Sequence, residues 1–156
     1  MISRNTLAEA VPDNAESVDI IIPVFNEEDI LRDQLSAVVS VLPSTFRLLV
    51  VENGSTDSTL NILRELADRW ELMDVLNLPE PNYGLAMKRG LAHSHSDVVI
   101  TDDLDVMDVD FWLRGLRLLS REGVELVQGS KVLAGRNDRR PPMRKIATRA
   151  LTLLLR

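Results

Sequence analysis

Cysteine is absent from all 156 residues. That excludes disulfides, thiolate metal sites and a cysteine nucleophile, and it is compatible with a cytoplasmic location. Aromatic residues make up only 4% of the chain, too few for a platform that stacks single-stranded nucleic acid. No apolar run approaches the roughly 18 residues of a membrane span. Met1 to Ser17 is polar and lacks the apolar stretch of a signal peptide. Gly-x-x-x-x-Gly-Lys-Ser/Thr does not occur, which excludes a P-loop. The two histidines, His93 and His95, are two apart and do not share a helix face. No Ser–His–Asp arrangement can be defended.

What remains is ordinary globular composition, 45% apolar and 27% charged, in a chain of about one domain. The net charge of −6 is unevenly spread. Lys131, Arg136, Arg139, Arg140, Arg144, Lys145, Arg149 and Arg156 face Asp138 alone in the last stretch, so the rest of the chain is strongly acidic. A basic end on an acidic body suits phosphates or an anionic membrane surface, and the body argues against nucleic acid as a partner.

Residues 1–17 read as a flexible leader, and 18–156 as the folded domain. Strands are predicted at Val18 to Phe25, Phe46 to Val51, Glu71 to Leu78, from Val98, and at Val124 to Gln128. Pro23 is awkward in a central strand, so the first ladder is expected to end there. Helices are expected between the strands, with Asn26 capping the first and Asp57 or Ser55 the second. A last helix is expected over residues 143–156. Met143, Ile146, Ala147, Ala150, Leu151 and Leu154 form its apolar stripe beside a basic one, a pattern equally suited to an anionic membrane and to a core-facing helix. Strand–helix alternation with short links predicts an α/β fold: a three-layer α/β/α sandwich around a mostly parallel sheet.

The carboxyl ends of these strands carry Asn26 and Glu27, then Glu52 and Asn53, then Asn82, then Asp102, Asp103 and Asp105. Ligands of open α/β sheets bind at that edge. Asp103 and Asp105 are two apart and point the same way in extended chain. Paired carboxylates repel unless a cation lies between them. Mg²⁺ or Mn²⁺ takes such oxygens, with phosphate oxygens completing its shell. An isolated pair of this kind also fits an acidic loop that caps the next helix. Glu52 stands where a turn does not by itself call for a carboxylate, and it can accept from a nucleobase or ribose. Lys88 can face a diphosphate from its helix, or simply be solvated.

These residues carry a family resemblance. Asp19-Ile-Ile-Ile-Pro-Val-Phe-Asn-Glu-Glu28 resembles the opening motif of family 2 glycosyltransferases, and Val50-Val-Glu-Asn-Gly-Ser-Thr-Asp-Ser-Thr59 the second. Asn82-Tyr-Gly-Leu-Ala-Met-Lys-Arg-Gly90 resembles the third, and Asp103-Leu-Asp105 the D-x-D motif. Gly129-Ser-Lys131 with Arg140, Arg144 and Thr148 is similar to the basic segment of the dolichol- and polyprenyl-phosphate mannose or glucose synthases. The chain departs from that group at Met107, where Gln is common, and at Phe25, where Tyr is usual. Family members continue with further strands, a Gly-Phe-x-x-Asp-x-Glu motif and often membrane helices. The chain is therefore expected to be a C-terminally incomplete domain.

The resemblance implies a GT-A fold and sugar transfer, with inversion, from a UDP- or GDP-linked sugar to a polyprenyl phosphate or other acceptor. It implies that Pro23, Phe25, Glu27, Glu52 and Asn53 hold the nucleoside, with Asp103 at the donor diphosphate. It implies Asp103 and Asp105 as ligands of Mg²⁺ or Mn²⁺, and Lys131, Arg144 and Thr148 as phosphate or acceptor contacts. The location implied is cytoplasmic, at the membrane face. An inactive nucleotide-sugar-binding module and a nucleotidyltransferase are the alternatives. A response-regulator domain is disfavoured, because the acidic cluster follows the fourth strand rather than the first and third.

Overall fold

The computed structural model describes residues 3–129. The compact unit ends at Glu125. Its elements run α1 (Arg4–Ala8), β1 (Val18–Val24), α2 (Leu31–Val39), β2 (Phe46–Asn53), α3 (Thr59–Ala67), β3 (Met73–Leu78), α4 (Tyr83–His93), β4 (Val98–Thr101) and α5 (Val109–Leu119). Among the described residues the strands form one parallel sheet in the order β3-β2-β1-β4. Helices cover both faces. Ile20, Ile22, Leu48 and Val50 pack with Leu31, Leu35, Leu63 and Trp112 on one side. Ile21, Leu49, Val51 and Leu78 pack with Ala86 of α4 on the other. Strands buried on both faces read as continuous apolar runs, which is why β1 and β2 are legible in sequence.

The order matters for the site. The chain builds from β1 outward through β2 to β3, then returns to place β4 on the other side of β1. The reversal leaves a crevice at the carboxyl ends of β1 and β4, where open α/β sheets bind ligands. Pro23 deepens the division. Val18 N–H donates to Thr45 across to β2, and Asp102 N–H donates to the Ile21 carbonyl from the β4 side. Alternate residues of β1 therefore serve alternate neighbours, and Pro23 falls on the β4 side. It has no N–H to give. The ladder to β4 stops at Ile21 opposite Thr101, while the ladder to β2 continues through Pro23 and Val24. The expectation that Pro23 ends the ladder holds on one edge only.

Three expectations are corrected. Residues 3–17 are not a loose leader: Ser3 caps α1, Leu7 is fully buried, and Asp97 accepts from the Glu16 and Ser17 N–H groups at 2.8 and 3.1 Å. Asn26 does not cap α2, which starts five residues later. Asn26 adopts φ +54°, a conformation Asn tolerates better than most residues. Residues 124–129 contain no strand. A short apolar run becomes a strand only through ladder bonds, and its own pattern cannot supply them. The predicted helix over 143–156 lies outside the described residues. Among those described, no helix is long and apolar enough to cross a membrane.

At the opposite edge of the sheet, the wholly buried Asp19 receives Arg47 Nε and Nη2 at 3.0 and 2.7 Å. Burial pushes the Asp19 carboxyl up. Hydrogen bonds from Arg47, Ser94 and Ser96, with the Arg47 charge, outweigh burial and hold it below the usual carboxylate value. Its stabilisation is therefore present above the unfolded value of about 3.9 and lost as pH falls through the lower, folded one. Arg47 is partly exposed, so Asp19→Asn should cost a discounted amount, about 1–3 kcal/mol, at pH 7. Urea midpoints at pH 7 and pH 3 check this. The wild type should lose stability between them more steeply than the variant, and equal slopes would remove Asp19 from the account.

Candidate active site

The two loops that begin the crevice are knitted together. Asn26 N–H donates to Ser55 Oγ at 3.0 Å, and Thr56 N–H donates to Asn26 Oδ1 at 2.8 Å. Glu27 N–H donates to Thr59 Oγ1 at 2.9 Å, and Ser58 N–H to Glu28 Oε2 at 2.9 Å. Asp57 accepts from Thr59 and Glu28 N–H. Burial raises the Asp57 carboxyl, but these hydrogen bonds pull it below its ordinary value. Asn26, Glu28 and Asp57 therefore hold the loops, and Phe25 and Glu27 are left facing outward. Phe25 is exposed and Glu27 half-buried.

Glu52 corrects the expectation that a turn has no use for a carboxylate. It is buried, and its oxygens accept from Ser55 N–H at 2.5 Å and Gly54 N–H at 3.2 Å. Asn53 is buried beside it and accepts from Asn82 N–H at 2.7 Å. Asn82 in turn caps α4 through Leu85 N–H at 2.9 Å. Glu52 and Asn53 are thus fastened to the turn and to the start of α4. Lys88 is exposed on α4, with no ion pair among the described residues.

Across the crevice, Asp102 braces the acidic loop. Its Oδ1 accepts from Asp103 N–H at 2.9 Å, and its Oδ2 from Trp112 Nε1 at 2.7 Å and Asp108 N–H at 3.3 Å. Asp103 receives the Tyr83 hydroxyl at 3.1 Å. Burial, then the Asp103 charge and this hydrogen bond, push the Tyr83 phenol up. Burial, then the charges of Asp105 and Asp57, push the Glu27 carboxyl up. Glu27 at the end of β1 and Asp105 beyond β4 are therefore electrostatic neighbours. Among the described residues no Lys or Arg pairs with Glu27, Asp103 or Asp105.

This donor set fits a hard divalent cation that shares its shell with a ligand. Among the described residues, no three His, Asp or Glu side chains enclose an ion by themselves. Two carboxylates with open positions are what Mg²⁺ uses when phosphate oxygens supply the rest. Lys131, Arg144 and Thr148 lie outside the described residues. Sequence reasoning missed the roles of Asp102 and Tyr83. Tyr83 had one available signal, as the chain's single tyrosine directly after a helix-capping Asn.

The parallel sheet, which reverses its order beside β1 and carries acidic groups at its carboxyl edge there, defines an open α/β domain. The chain belongs to glycosyl transferase family 2, whose profile matches residues 19–154. Glycosyltransferase AglE of Haloferax volcanii is 33% identical over 117 residues, 72% of this chain and 38% of AglE. An undecaprenyl-phosphate 4-deoxy-4-formamido-L-arabinose transferase of Yersinia enterocolitica is 29% identical over 145 residues, 90% of this chain and 43% of that enzyme. The chain thus spans about two-fifths of the length of these relatives. Among solved structures, the mannosyltransferase PcManGT of Pyrobaculum calidifontis, in complex with GDP-Man and Mn²⁺, superposes with a TM-score of 0.63 at 21% identity. The match covers 73% of this chain and 35% of PcManGT. The fold is GT-A. Family membership sets aside the nucleotidyltransferase alternative.

Proposed function

We propose that this domain binds a UDP- or GDP-linked sugar in the crevice between β1 and β4, with Mg²⁺ or Mn²⁺, and serves an inverting sugar transfer to a polyprenyl phosphate or another acceptor. The observation that carries the reading is that Glu27, at the end of β1, feels the charge of Asp105, beyond β4, while neither of these nor Asp103 has a basic partner among the described residues. Asp103 and Asp105 would hold the cation, which neutralises charge developing on the leaving diphosphate. Phe25 offers a ring to the nucleobase. Glu27, Pro23, Glu52 and Asn53 shape the nucleoside end, the last two through the turn they fasten. Lys88, exposed on α4, is the cation proposed for the diphosphate. On the sequence resemblance, Lys131, Arg144 and Thr148 remain the contacts proposed for the acceptor phosphate.

A phosphate acceptor is consistent with the absence of a histidine from this edge. A phosphate monoester has a second pKa of about 6 and is already largely ionised near pH 7, so its attack on the anomeric carbon needs little general-base help. Relatives named for undecaprenyl-phosphate sugar transfer support that acceptor class. The peripheral membrane contact proposed for 143–156 rests on sequence pattern alone.

Calorimetry on the whole chain tests the reading. GDP and UDP are titrated with Mn²⁺ and again with EDTA. At least one nucleotide should bind with Mn²⁺ and lose most of its affinity in EDTA. Equal affinity in both buffers, or no binding of either nucleotide, would count against the proposal. Cation-dependent binding without sugar transfer to polyprenyl phosphate would instead favour a binding module.

A further inference from the structure

Two restraints meet on Asp103 from opposite directions. Its main chain is fixed by Asp102, which is itself anchored on Trp112 and on Asp108 N–H. Its side chain is fixed by Tyr83, which donates to Oδ1 at 3.1 Å. Tyr83 is the first residue of α4, and Asn82 caps that helix while donating its own N–H to the buried Asn53. The phenol therefore springs from a firmly seated point on one wall of the crevice and reaches the acidic loop on the other. More than half of its surface is exposed, so packing does not account for the choice of tyrosine. Among the described residues the Asp105 side chain has no comparable hydrogen bond.

We propose that Tyr83 is a positioning residue for the cation site: its hydroxyl orients the Asp103 carboxylate so that the remaining oxygen lone pairs are presented beside Asp105. This rests on the reading of Asp103 and Asp105 as cation ligands. A carboxylate on a partly exposed loop turns freely about its last torsion, and much of that freedom is lost when an ion is bound. A donor on a rigid ring removes the freedom beforehand, and supporting hydrogen bonds of this kind tune metal affinity by about 10- to 100-fold. Phe at position 83 keeps the ring and removes only the donor.

The test is calorimetric titration of Mn²⁺ into the whole chain with saturating GDP. Wild type, Tyr83→Phe, Asp103→Asn and the double variant are compared, with melting curves alongside. Tyr83→Phe should weaken Mn²⁺ binding about tenfold, at the low end of that range because the bond is exposed, while melting stays unchanged. In the Asp103→Asn background the same change should do nothing more, since the group it orients is no longer a carboxylate. Wild-type affinity in Tyr83→Phe, with Asp103→Asn weakened, would overturn this inference and leave the cation site standing. An equal loss in both backgrounds would also overturn it, because Tyr83 would then act elsewhere. No Mn²⁺ binding by the wild type would overturn the inference and the cation site together.

Discussion

Asp103→Asn is expected to weaken cation-dependent nucleotide binding by about a hundredfold, and Asp105→Asn by a similar factor. Removal of a mere supporting group already costs about 10- to 100-fold in metal affinity, so removal of a charged ligand belongs at or above the top of that range. Nucleotide affinity should fall with it. Without the cation, the diphosphate meets the remaining carboxylates, and like charges a few ångströms apart repel by about 1–4 kcal/mol at surface dielectric values. Stability should move the other way. The Asp105 charge helps to hold the Glu27 carboxyl up, so neutralising position 105 relieves a repulsion. A loop-capping role makes the opposite forecast, because Asn caps nearly as well as Asp and nothing would change. Calorimetry and urea melts on the two variants separate the cases. Unchanged binding in both variants would return this loop to a structural role.

Gly54→Ala is the second large effect, and it acts on the fold of the site rather than on its charge. Gly54 has φ +76°, and a Cβ there would stand 2.7 Å from the Glu80 carbonyl carbon and 2.8 Å from Pro81 N. Both obstacles are backbone and cannot swing aside. Left-handed strain adds about 1–3 kcal/mol and overpacking a similar amount, so a cost of about 2–6 kcal/mol is expected. The displaced loop carries Asn82, so the Asn53–Asn82 bond and the seat of α4 should loosen too, and nucleotide affinity should drop. Gly123→Ala is the control. Gly123 has φ +77° with nothing within 4 Å of the added carbon, so it reports backbone strain alone. Thermal melts of both variants measure the difference. Equal costs at the two positions would mean that the close approach at Gly54 contributes nothing.

These predictions show what was legible in the sequence. β1 and β2 are buried on both faces, so their apolar runs announce them, and the acidic residues ending them and β4 mark the carboxyl edge, where the site is proposed. Hydrogen-bond partners are a different matter. Nothing local says that Glu52 folds back onto Gly54 and Ser55 N–H, that Asn26 turns left-handed to receive Thr56 N–H, or that Asp102 reaches Trp112 ten residues away. Only the Asn26–Thr56 bond joins segments whose approach is set by the sheet order; the Glu52 bonds close a single turn and the Asp102–Trp112 bond a single connection, and apolar periodicity marks neither. Leu7 is hidden for another reason: five helical residues carry too little periodicity to reveal a buried face. The run at 124–128 differs in the other direction, with an apolar pattern that no ladder completes among the described residues.

The cation-bound nucleotide is proposed to sit at the crevice between β1 and β4. Paramagnetic line broadening reports that position residue by residue. Amide spectra of the whole chain are recorded with GDP and substoichiometric Mn²⁺, with Mg²⁺ as the diamagnetic reference. Broadening should centre on residues 25–27 and 102–105, reach Tyr83 at the start of α4, and spare Asp19, Arg47 and Asp74 at the opposite edge of the sheet. Broadening centred on Asp74 and His93, or spread over the acidic surface without a centre, would contradict it.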